Sequence, residues 1–155
     1  MDDKVKSILE MVHETPDFAE VDFSDVNACS TNGDNALHCV VQWKDISAAK
    51  ALIDAGINVN KTGDLGYSPL HVACMHGDLE MIRLLIENGA DLFAKSAGDT
   101  PFASARLSMH DNICDFLRPL MMQAQAQDPK IRTRSRIAQL KQEIEELEKE
   151  IKTQS

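Results

Sequence analysis

The sequence predicts an all-α protein, a short solenoid of helix pairs. Three observations carry that expectation. Apolar residues recur at helical spacing, as Leu70, Ala73 and Cys74 and then as Leu79, Ile82, Leu85 and Ile86. Each of these faces is punctuated: Ser68 and Asp78 stand at N-cap positions, Pro69 at a first helical position, and Gly77 and Gly89 at the ends. The punctuation also repeats. Gly33, Leu37, His38, Gly56, Val59 and Asn60 stand 33 residues before Gly66, Leu70, His71, Gly89, Leu92 and Phe93. A third copy follows at 32 residues, where Gly98, Thr100, Pro101, Phe102 and Ala105 answer Gly66, Ser68, Pro69, Leu70 and Ala73.

A period near 33 with Ser-Pro-Leu-His opening a helix pair resembles the ankyrin repeat, over about residues 26–120. The elements follow in order. Asp3–His13 carries Val5, Ile8, Leu9 and Val12 on one face and ends before Pro16. It cannot bury that face alone, so residues 1–25 read as an N-terminal cap helix and loop on the first repeat. Repeat one runs from about Ser30 to Thr62. It has Asn35-Ala36 in place of Thr-Pro, and Lys44 where glycine usually ends the first helix. A left-handed lysine is strained by about 1–2 kcal/mol, so a different turn is expected there. Repeat two is regular. Repeat three has Ala103 for the histidine, Met109 for the turn glycine, and Arg106 at a normally small, buried position. Pro119 marks the end of regular stacking.

Residues 121–136 read as a linker and basic segment, with extension of a helix over 121–127 as the alternative, and a break at Asp128-Pro129. Over 137–152, Ile137, Leu140, Ile144, Leu147 and Ile151 form a heptad with Ile at a and Leu at d, a coiled-coil-like helix. A parallel homodimer sets Arg136 against Lys141 and Glu143 against Glu148, like against like. An antiparallel one sets Arg136 against Glu150 and Lys141 against Glu148, with Glu143 meeting its own copy. The helix is therefore expected to pair antiparallel or with a different helix. A solvated helix or tail is the plainer alternative.

Composition narrows the function classes. No apolar run is long enough to span a bilayer, and the acidic start Met1-Asp2-Asp3 is unlike a signal peptide. Cys29, Cys39, Cys74 and Cys114 show no paired spacing, which points to a reducing, cytoplasmic setting. Residues 1–128 hold 9 Lys/Arg and 20 Asp/Glu, a formal net of −11. Such a body disfavours nucleic acid and anionic membrane and steers a basic surface toward it, although acidity also simply keeps a protein soluble. The sequence lacks a Gly-rich phosphate loop, a Gly-x-Ser-x-Gly and a His-Glu-x-x-His. His71, Cys74 and His76 form the one metal-like spacing, but His71 is the histidine of the repeat signature, which the resemblance makes structural. A non-enzymatic protein without cofactor or metal is expected.

The resemblance implies protein binding through the tips between repeats and the exposed ends of the first helices. On this chain that face comprises Thr31, Asn32, Asp34, Gln42 and Trp43, then Asp64, Leu65, Tyr67, Met75 and His76, then Ser96, Asp99, Leu107 and Ser108. It joins the only Trp and the only Tyr to a row of carboxylates and suits a basic protein partner. Small bacterial-type ankyrin proteins, to which this chain is similar, include antitoxin and immunity partners. Scaffolding by self-association through Ile137, Leu140, Ile144, Leu147 and Ile151 is the alternative.

Overall fold

The computed structural model describes residues 1–153, and in its last helix the side chains at 131–135, 138, 147 and 150–153, Leu147 and Ile151 included, lie outside the described residues. Among the described residues the regular structure is helical: α1 (Asp3–His13), α2 (Ala36–Gln42), α3 (Ile46–Asp54), α4 (Pro69–His76), α5 (Leu79–Glu87), α6 (Pro101–Leu107), α7 (Asp111–Gln127) and α8 (Pro129–Thr153). The chain divides into two compact units, residues 1–117 and 118–155.

In the first unit the helices stack in two rows. The first helices α2, α4 and α6 pack one on the next, and α3 packs on α5. Val5, Ile8, Leu9 and Val12 bury one face of α1, which packs on α2 and α3. Burying side chains of this size stabilises by about 1.5–3 kcal/mol each, and Leu37, Leu52, Leu70, Ile82, Leu85, Ile113 and Leu117 continue the same core.

Every helix pair is closed by the same hydrogen bonds. In repeat two Gly77 N–H donates to Cys74 O and Asp78 N–H to Ala73 O, with Gly77 left-handed at φ 65°. The same two bonds recur at Lys44→Val41 with Asp45→Val40, and at Met109→Arg106 with His110→Ala105. Lys44 and Met109 therefore take φ 59° and 60° without glycine. The expectation of a different turn at Lys44 is corrected: the helix-closing bonds outweigh the strain. Lys44→Gly removes roughly 1–2 kcal/mol of left-handed strain and returns about 0.4–1 kcal/mol as unfolded-chain entropy. The variant is expected to gain about 0.5–1 kcal/mol in a urea melt. Asp45 and Asp78 then cap α3 and α5, accepting from Ala48 N–H at 2.9 Å and Met81 N–H at 3.1 Å.

One further expectation changes. Arg106 is exposed, whereas Cys74, which it answers, is fully buried. The α4 position is covered by α6, the last member of its row. Over 121–127 the chain takes the helical alternative, and it is helical on both sides of Asp128. Met, Gln and Ala are strong helix formers and carry α7 past Pro119 to Gln127. Asp128 accepts from Lys130 N–H at 2.8 Å and Pro129 is the first residue of α8, so the dipeptide that breaks one helix starts the next.

Candidate protein-binding face

The two signature histidines fix the geometry of the tips. Burial shifts both pKa values below that of free histidine, so both rings are neutral. His71 Nδ1 accepts from Ser68 N–H at 3.1 Å, which leaves Nε2–H to donate to Asp99 O at 3.2 Å. His38 does the same one repeat earlier, accepting from Asn35 N–H at 3.1 Å and donating to Tyr67 O at 3.0 Å. Each imidazole thus ends its own helix start and holds the tip of the next repeat. Protonation adds a hydrogen to the ring nitrogen that faces the backbone N–H. The folded pKa lies below the unfolded value of 6.5, so the unfolded chain binds more protons on acidification. The histidine contribution is whole above that value, and the melting temperature is expected to fall as the pH drops from 7.5 through 6.5 to 5.5.

The tips themselves are tight reverse turns. Leu65 and Gly66 take φ 54° and 77°, closed by Tyr67 N–H to Asp64 O at 3.0 Å. Ala97 and Gly98 take φ 49° and 95°, closed by Asp99 N–H to Ser96 O at 2.8 Å. Both are turns with positive φ at the two central residues, where Asn-Gly is the usual pair. Leu65 holds this conformation while 73% exposed.

The expected face residues divide into those that build the solenoid and those that remain available. Asp34 belongs to the first group. Its Oδ1 accepts from Asp64 N–H at 3.0 Å and lies 3.7 Å from His38 Nε2. A Cβ on Gly63 would stand 1.7 Å from that same oxygen, so glycine is what lets the carboxylate in. Ser96 is buried, its hydroxyl donating to Leu65 O. Tyr67 is half-buried, its ring 5.5 Å from that of His71. Thr31, Asn32, Gln42, Asp64, His76 and Asp99 are exposed, and Met75 and Ser108 are half-exposed. Trp43 and Leu107 are 43% and 69% exposed.

The ends of the first helices are tied to one another. Lys44 Nζ donates to His76 O at 3.4 Å, and His110 Nε2 pairs with Met75 O at 3.0 Å. The sequence reading missed His110. It answers Asp45 and Asp78 and breaks the Asp cap pattern, which is the available signal. Met109, which in the sequence stands only for the turn glycine, is 86% exposed. Trp43, Leu107 and Met109 thus share one edge of the stacked repeats.

The His71, Cys74 and His76 spacing does not form one site. Both His71 nitrogens are occupied, the Cys74 side chain is fully buried with its thiol pushed up to about 12 by burial, and His76 is exposed. Cys39 is likewise pushed up to about 11, chiefly by burial, so neither thiol is a ready nucleophile at neutral pH.

Stacked helix pairs with hairpin tips, each pair tied to the next, define a helical-repeat solenoid. A family model described as ankyrin repeats, with 3 copies, matches residues 2–96 and 58–128, and the chain belongs to that family. Ankyrin repeats are protein–protein interaction modules. The chain is similar to the tyrosine-protein kinase Shark of Drosophila melanogaster, 35% identical over 59% of this chain and 10% of the kinase. It is similar to the putative ankyrin repeat protein YahD of Escherichia coli K12, 29% identical over 44% of this chain and 34% of that protein. It is also 38% identical to the Caenorhabditis elegans homolog of ankyrin repeat and LEM domain-containing protein 1, over 47% of this chain and 10% of that one. The chain therefore spans about a third of YahD and about a tenth of the other two relatives. Among the described residues no helix is long and apolar enough to cross a membrane.

Proposed function

We propose that this chain is a non-enzymatic binding module that takes a basic protein surface on its repeat face. The observation that supports this reading most is the exposure of Trp43, Leu65 and Leu107, at 43%, 73% and 69%. Nothing in the repeat requires apolar side chains there, and Leu65 holds a backbone conformation that costs roughly 1–2 kcal/mol. Ala97 takes the same conformation at the next tip, so the strain belongs to the turn, and what distinguishes Leu65 is its exposed apolar side chain. The available carboxylates are Asp64 and Asp99, on a segment of formal net charge −11 over residues 1–128. Charge of that sign speeds encounter with a cationic partner, and a basic nuclease restrained by an immunity or antitoxin protein is one such case.

Affinity capture from source lysate tests the reading. The parent is expected to retain a basic protein, to release it at raised salt, and to lose it in Asp64→Asn/Asp99→Asn or Trp43→Ala. Asp34 is left intact, because its carboxylate supports the tip. Retention of the same protein by both variants would place the contact elsewhere.

A further inference from the structure

Helix α8 leaves an apolar stripe uncovered. Ile137, Leu140 and Ile144 are 47%, 40% and 56% exposed and fall at a, d and a of the heptad. Its charges are divided end from end. Residues 130–141 carry five Lys/Arg and no acid, a net of +5, and residues 142–153 carry five Glu and two Lys, a net of −3. This order opposes the helix's own dipole, whose positive end is the N-terminus. A solitary surface helix gains from the reverse order, so the division is costly unless something of opposite polarity lies alongside.

We propose that α8 pairs antiparallel with α8 of a second copy of this chain. Antiparallel pairing sets each basic half on the other's acidic half, opposes the two helix dipoles and covers both stripes. A parallel pair stacks like halves, with Arg136 facing Lys141 and Glu143 facing Glu148. Setting Leu140 opposite Ile144 of the second copy places position 137 opposite 147, position 136 opposite 148 and position 141 opposite 143. Arg136 is then opposite Glu148 with Glu150 as its flanking g neighbour, and Lys141 is opposite Glu143. Glu143 has its own copy as its flanking g neighbour, and Arg136 of the same helix lies 3.9 Å from it and offsets that repulsion.

The test uses the full chain with Cys29 and Cys39 replaced by serine. Sedimentation is expected to give a dimer, and Leu140→Asp/Ile144→Asp a monomer whose repeats melt as before. Under oxidation, Ile137→Cys mixed with Leu147→Cys is expected to form a mixed disulfide, and Ile137→Cys alone none, since its two copies stand about 15 Å apart along the axis. A monomeric parent, a dimer that survives Leu140→Asp/Ile144→Asp, or efficient Ile137→Cys self-crosslinking would overturn the proposal. None of these readouts involves the repeat face, so they separate this inference from the binding function.

Discussion

His71→Ala is expected to destabilise the repeats by about 3 kcal/mol, as the loss of two buried partners at about 1–3 kcal/mol each. The imidazole satisfies Ser68 N–H at the start of α4 and Asp99 O at the tip of repeat three. Alanine reaches neither, and the ring is completely buried, so water is poorly placed to replace it. A domain of this size has roughly 5–15 kcal/mol in total, so the loss is a large fraction. Urea denaturation of the parent and variant measures it. The variant is also expected to show a shallower fall in stability between pH 7.5 and 5.5, because one of the two depressed histidines is gone. A loss below about 1 kcal/mol would mean that the tip of repeat three is held by its own Ser96–Asp99 bonds.

Much of the repeat was legible because its signals are local. Ser68, Pro69, Gly77 and Asp78 each act on the backbone within one turn, and the structure uses all four in that way. What was not legible depends on the neighbouring repeat. Asp34 looks like any tip carboxylate in the sequence, but its partners are Asp64 N–H and the His38 ring. Ser96 looks like a tip hydroxyl, but it binds Leu65 O, 31 residues away. His110 reaches back 35 residues to Met75 O. Lys44 was misjudged for the opposite reason. The local penalty against a left-handed lysine is outweighed there by two helix-closing bonds. Side-chain propensity is a weak prior wherever the backbone bonds are already fixed by the repeat frame.

Trp43→Ala is expected to leave the melt nearly unchanged and to weaken partner binding by about 2 kcal/mol or more, roughly thirtyfold. The two effects separate because Trp43 stands at the C-cap of α2, where its backbone N–H already bonds Cys39 O and its side chain is 43% exposed. Truncating a side chain so placed removes little of the core. In a complex the same ring buries a large area at low entropic cost, which is why tryptophan dominates many binding hot spots. Leu107 and Met109 stand on the same edge at 69% and 86% exposure, so Leu107→Ala is expected to act in the same direction with a smaller loss. Asp64→Asn/Asp99→Asn is expected to differ in kind, lowering the association rate and the salt dependence more than it raises the dissociation rate. Surface plasmon resonance against the captured partner distinguishes the two. If Trp43→Ala alters the melt and leaves binding intact, the ring belongs to the solenoid and the tip at Leu65 becomes the centre of the face.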